Sequence, residues 1–447
     1  MTMTMYVFGV LTIWFIICPG GMCDQTTANL KNSQVKRILI LHDEWEKVYK
    51  GTSNLNRQID IEAKEAGFEV YRTVLGRDGC CIDVSDAKEH YIKVADNICH
   101  RNINLDCLQT YSECNLSEIE KIEDLDVIIG HVPVTSGFAI SLTERKFKTS
   151  RVLLFISDHH EDMEEYQPEY YEAWESNLIK AAEKATAVFS VGPKVFSVFD
   201  RKFKALSESI KHCEYLPFPK DDIFNITVNA IEAGEDNLMQ VLTYEHMIGV
   251  ENMKDYYMLI AKAFSRVAKT YHDMHRLLPK FIIKGVPSQH HDDIRTTLYK
   301  RLTVQDKYLK IKLPPYGTYE KNLQDIKESN LVVLSSRSEP FGIAGLQAMA
   351  VGIPVLVTSH SGLAEFIKKE FPHEASQMTV KVGVNDIDVE GDIDTWRDHI
   401  IDVLCYNYTA LFEVARDLKE KLKESKLIQE SRKRFKDALK DTCLDSW

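Results

Sequence analysis

Clustered positive charge is missing from this chain of 447 residues: the formal net charge is −12, and its lysines and arginines are scattered. The polyelectrolyte attraction that drives nucleic-acid binding has no footprint here, so nucleic acid is not an expected partner. No C-x-x-C pair occurs among the ten cysteines, which removes zinc knuckles and thioredoxin-type sites. No obvious Asp-x-Asp pair stands at the end of an expected strand, and in "SDHHED" the adjacent histidines project differently while the acids lack helical spacing. No metal site is expected. A repeat of fixed period is also absent.

What is present begins with an apolar run, "YVFGVLTIWFIIC", from Tyr6 to Cys18, followed by the turn-forming "PGGMCD". The run is too short to cross a bilayer, which needs about 20 residues, and residues 1–24 read as a signal-like segment. It lacks a basic leader, so an uncleaved anchor or an N-terminal artefact are the alternatives. The expectation is entry into the secretory pathway, with contact to a membrane through this segment. Five cysteines (Cys80, Cys81, Cys99, Cys107 and Cys114) crowd one segment, where an oxidising compartment would staple a loop with disulfides and a reducing one would leave thiols. Acceptor sequons at Asn115, Asn225 and Asn407 fit the first case.

From residue 35 the chain alternates. "VKRILILHDEW" reads as a buried strand, and Gly51 and Thr52 open a helix whose apolar stripe is Leu55, Ile59, Ile61, Ala63 and Ala66. "FEVYRTVL" is a second strand, which makes a right-handed βαβ unit. Strands at "LDVIIGH", "RVLLFIS" and "TAVFSVG" continue the pattern, and the cysteine-rich residues 77–118 read as an insertion. Two prolines and an acidic stretch near residues 216–237 mark a break. After it, strands at "LMQVLTY", "KFIIKGV", "YLKIKLP", "LVVLSS" and "PVLVTS" alternate with helices, and a helical end follows. Two such blocks mean two doubly wound domains facing a cleft: 25–218 and 219–447, the latter with C-terminal helices.

In such a sheet, ligands collect outside the carboxyl ends of the strands, where helix N-termini offer unpaired N–H groups. "SSRSEPFGIAGLQAMAVG" has that arrangement: "LVVLSS" delivers Glu339 to the rim, and Phe341, Gly342 and Ile343 start a helix. A diphosphate would be stabilised there.

The stretch "SRSEPFGIAGLQAMAVGIPVLVTSHSGLAEFI" resembles the donor-site segment of the group 1 retaining glycosyltransferases, which have the GT-B fold of two facing Rossmann-like domains. Echoes in "GTSNLNRQIDIEAKEAGFEV", "VIIGHVPVTSG" and "SVGPKVFSVF" extend the resemblance over residues 36–440. It implies an α/β protein of GT-B type that transfers a sugar from a nucleotide-diphosphate sugar to a carbohydrate, lipid or small-molecule acceptor hydroxyl, without a cofactor. Glu339 takes the place of the family's sugar-contacting glutamate, and the amides of Phe341, Gly342 and Ile343 that of the donor-binding ones. Gln347 stands where a second glutamate binds the ribose, so the charge of that hydrogen bond is lost. Glu245 and His246 stand at the family's Gly-Arg, and Lys254 is the matching lysine of the leaving-group site. His131 matches the rim histidine, Gly51 the first loop, and Ser157, with His159 and His160 offset, the sugar-facing loop. Taken alone, Gly51 is equally a helix-start glycine, and His131 a structural strand-end histidine. The two departures raise an alternative, a degenerate relative that binds sugar or nucleotide without turnover; an epimerase on the same fold is a third reading.

Overall fold

The computed structural model describes residues 35–41, 51–76, 90–95, 119–158, 168–207, 209–228, 238–244, 255–286, 291–302, 309, 311–315, 317–336, 339–383 and 388–441. The signal-like residues 1–24, the five clustered cysteines and Asn115 lie outside them. Cys213 and Cys405 are free thiols. Among the described residues no helix is long and apolar enough to cross a membrane.

The first lobe runs β1 (Arg37–Ile40), α1 (Gly51–Glu65), β2 (Glu69–Gly76), β3 (His90–Ala95), β4 (Val127–Val132), α2 (Ser136–Arg145), β5 (Arg151–Ile156), α3 (Pro168–Lys184), β6 (Ala187–Val191), α4 (Gly192–Leu206) and β7 (His212–Tyr215). Its seven strands are parallel, in the order β3-β2-β1-β4-β5-β6-β7. The edge strand β3 falls inside residues 77–118, so part of what reads as an insertion extends the sheet. A short helix α5 (Asp221–Phe224) leads to the second lobe.

That lobe runs β8 (Gln240–Tyr244), α6 (Asp255–Asp273), β9 (Lys280–Lys284), α7 (His291–Arg301), β10 (Ile311–Lys312), α8 (Tyr319–Lys327), β11 (Leu331–Leu334), α9 (Ile343–Val351), β12 (Val355–Thr358), α10 (Gly362–Glu370), α11 (Ala375–Met378), β13 (Thr379–Val380), α12 (Val389–Ile401), α13 (Tyr408–Lys423) and α14 (Lys426–Lys440). Its six strands are parallel in the order β10-β9-β8-β11-β12-β13. Both sheets are covered on both faces, which is why strands such as "VIIGHV" and "LVVL" are buried at every position.

Strand order reverses between β1 and β4 in the first sheet and between β8 and β11 in the second. At these two switch points neighbouring connections leave in opposite directions and open a crevice at the carboxyl ends. His131 lies near the end of β4, and Glu339 follows the end of β11, so each sheet brings one predicted site residue to its own crevice.

The last helix leaves the second lobe and packs on the first. Phe435 of α14 is fully buried with its edge against Phe155, Phe189 and Tyr215, at ring-centroid distances of 5.6, 5.4 and 5.5 Å. Ser431 Oγ accepts from the Leu216 amide at 2.8 Å. Arg151 donates to the carbonyls of Ala438 (2.5 Å) and Leu439 (2.6 Å), satisfying the open end of the helix. On its other flank, Arg432 (2.5 Å) and Lys436 (2.9 Å) hold the fully buried carboxylate of Glu62 on α1.

Candidate active site

The turn between β11 and α9 is held from behind by the next loop. The Gly362 amide donates to the Glu339 carbonyl at 3.2 Å and the Leu363 amide to the Phe341 carbonyl at 2.6 Å. Thr358 Oγ1 donates to the Ser336 carbonyl at 2.8 Å, and Ser361, the N-cap of α10, ties the loop to itself through the Thr358 carbonyl at 2.9 Å. A side chain at residue 362 would collide with the Pro340 carbonyl, so Gly362 is what lets the two turns nest. The "SHSGLAEF" segment thus serves as the mould for "SEPFG".

At the head of α9, Gly342 has φ +101°, a left-handed conformation suited to glycine, and no side chain caps the helix. Its positive dipole end, with no side-chain cap, faces the crevice. The helix reads "IAGLQAMAV" and is buried from Gly345 to Val351, Gln347 included, at 4% exposure. As a mid-helix amide Gln347 would ordinarily be a surface residue; the nearly all-apolar neighbours were the signal for burial.

Glu339 is half-buried and lies against the first lobe. Burial pushes its carboxyl up to about 7, with the Asp158 carboxylate adding to the rise and the Lys194 ammonium opposing it. Asp158 follows β5, and Lys194 sits in the first turn of α4 at 8% exposure. The lobes meet at this point: Gly192, which opens α4 at φ +83°, lies so close to the Phe341 ring that a Cβ on it would overlap that ring. Gly192, Lys194 and Asp158 were not singled out from the sequence. A lysine at the positive end of a helix was the readable clue, since the dipole disfavours it unless an anion is near.

The structure thus gathers Glu339, Phe341, Gly342 and Ile343 on one turn, with Gln347 one turn further along α9. His131 is at the other switch point, 4% exposed, its amide donating to Thr135 Oγ1 (2.7 Å) and its ring 5.8 Å from that of Phe155. Gly51 is the first residue of α1, and Ser157 lies half-buried beside Asp158. Lys254, Glu245, His246, His159 and His160 fall outside the described residues.

A family model described as "Family 4 Glycosyltransferase in conflict systems" matches residues 39–431. The chain belongs to this family. Among curated proteins, an uncharacterized glycosyltransferase of Methanocaldococcus jannaschii is 54% identical over 44 residues, 10% of this chain and 11% of that protein. Mannosylfructose-phosphate synthase of Agrobacterium fabrum is 39% identical over 84 residues, 18% of each chain. The alignments therefore span well under two thirds of these relatives. Sucrose-phosphate synthase from Thermosynechococcus elongatus superposes with a TM-score of 0.68 at 14% identity, covering 91% of this chain and 98% of that one. The E. coli trehalose-6-phosphate protein bound with UDP-2-fluoro glucose does so at 0.62 and 10%, covering 90% and 99%. The fold of this glycosyltransferase is GT-B: two Rossmann-like lobes about a cleft.

Proposed function

We propose that this glycosyltransferase moves a sugar from a nucleotide-diphosphate sugar to an acceptor hydroxyl with retention of anomeric configuration, and without a metal. The carrying observation is the Glu339 turn, its backbone held by the Gly362 amide at Glu339 and the Leu363 amide at Phe341, beside the uncapped N-terminus of α9 at the switch point of the second sheet. The α9 amides and dipole would receive the diphosphate, and Glu339 would accept hydrogen bonds from the transferred sugar. Lys254 and His246 would add positive charge as the bond between the anomeric carbon and the diphosphate breaks. The acceptor oxygen then bonds to that carbon from the same face, and its proton leaves on the departing phosphate.

The UDP-sugar bound to the E. coli neighbour and the sugar-phosphate products named for the synthases support a UDP-sugar donor and a carbohydrate acceptor. The acceptor would enter from the first lobe, past His131 and the start of α1. Residues 1–24 would direct the chain to the secretory pathway, which N-terminal sequencing of the mature protein tests.

The experiment is a panel of nucleotide sugars with carbohydrate acceptors, in chelator, with nucleoside diphosphate release as the readout. Release by the wild type, its loss in Glu339→Ala, and NMR of the new glycosidic bond showing the donor's anomeric configuration are expected. Binding without release across the panel would establish the non-catalytic alternative.

A further inference from the structure

Lys194 has an unusual address. It is nearly fully buried, in the first turn of a 15-residue helix, where the dipole is positive and a cation is disfavoured. Burying a lysine costs free energy unless a negative group repays it. The contact of Gly192 with Phe341 brings this turn of the first lobe against the Glu339 turn of the second, and α4 packs along α10, the helix that moulds that turn. The charge of Lys194 thereby acts on Glu339 where the lobes meet.

We propose that Lys194 is a positioning residue for the donor site: from the opposite lobe it holds Glu339 as the carboxylate that accepts the donor sugar's hydroxyls. Without it, two acids, Glu339 and Asp158, would share a poorly solvated crevice, and one would keep its proton, as like charges at close range cannot both ionise. A protonated Glu339 has less acceptor capacity and would turn an O–H toward the sugar. Among the described residues, the charged groups acting on Glu339 are Asp158 from the end of β5 and Lys194 from α4. The competence of the donor-side acid then depends on the lobes being apposed, so a motion that parts them would also weaken the hold on the sugar.

This inference rests on the donor reading of Glu339, and its test begins without a donor. The full-length protein is labelled with 13C at the glutamate carboxyl, and the Glu339 resonance is assigned by its loss in Glu339→Gln. In Lys194→Met, which keeps the apolar stem, the Glu339 midpoint should rise by about one pH unit or more, and in Lys194→Arg it should stay near the wild-type value. An unmoved midpoint in Lys194→Met overturns the proposal. Calorimetry with UDP-glucose and GDP-mannose across pH 6–9 supplies the second arm. Half-maximal affinity should shift upward with the carboxyl in Lys194→Met, by roughly tenfold weaker binding per unit below the new midpoint. Donor affinity indifferent to the moved midpoint overturns the positioning role, whereas a moved midpoint with no nucleotide sugar bound by any variant counts against the donor reading and not against the Lys194–Glu339 coupling.

Discussion

Gly192 and Phe341 fit together as a glycine and the ring that occupies the place of its missing side chain: a Cβ on Gly192 would have Phe341 Cγ and Cε2 at 3.2 Å and Cδ2 closer still. The two residues belong to different lobes, and Phe341 is 3% exposed. Gly192→Ala therefore meets two penalties, the left-handed φ of +83° and the displaced ring. A loss of about 2–3 kcal/mol in denaturant titration is expected, and the Gly192→Ala, Phe341→Ala double variant should lose less than the sum of the two single variants.

Gln347→Glu tests the ribose side of the donor reading. Restoring the carboxylate should tighten nucleoside diphosphate binding by about 1 kcal/mol, roughly fivefold, since a charged acceptor makes the stronger hydrogen bond. Calorimetry with UDP measures it. Binding unchanged or weakened would put Gln347 out of the nucleotide's reach.

His212 sets an acid limit on stability. Its Nε2 lies 2.8 Å from Ser190 Oγ and its ring stacks on Phe196 and meets the edge of Phe203, and burial pushes its pKa down to about 4. The unfolded chain, with histidine at the usual 6.5, binds the extra proton first as pH falls, so this contribution is whole above pH 6.5 and lost on descent through 4, up to ~3 kcal/mol. Glu339 has the opposite sign: its raised pKa favours the fold at low pH, and that contribution is lost as pH rises through about 7. His212→Gln should remove the first slope and leave the second, so stability between pH 4 and 6.5 should rise on acidification in the variant, read by denaturant titration at each pH.

Arg432→Met leaves the buried Glu62 carboxylate with Lys436 as its ion-pair partner from α14 and should cost about 3 kcal/mol in thermal or chemical unfolding. Replacing Glu62 by Gln in the same protein should return much of that loss, because the stranded charge, more than the missing contact, is what destabilises.

Much of the second lobe was legible locally. "LVVL", "PVLVT" and the turn between them carry their own strand pattern, helix start and glycines, and their hydrogen bonds close within residues 336–363. What escaped is what only the folded chain juxtaposes. Lys194 and Asp158 reach Glu339 from the other lobe, 145 and 181 positions away in the sequence, and no periodicity links them. Strand β3 hides among cysteines and polar residues because an edge strand needs only one neighbour. The sequence of α14 is amphipathic, and the structure buries Phe435 and Leu439 on its apolar face, yet a pattern says nothing of which surface covers that face.

The path of α14 has a consequence for anyone dividing this protein. The first lobe is completed by the helix over residues 426–440, so a fragment stopping at the linker would uncover Phe155, Phe189 and Tyr215 and leave Glu62 without Arg432 and Lys436. Such a fragment should aggregate. Supplying residues 426–440 in trans, or rearranging the chain so that this helix precedes β1, is how the first lobe could be obtained alone.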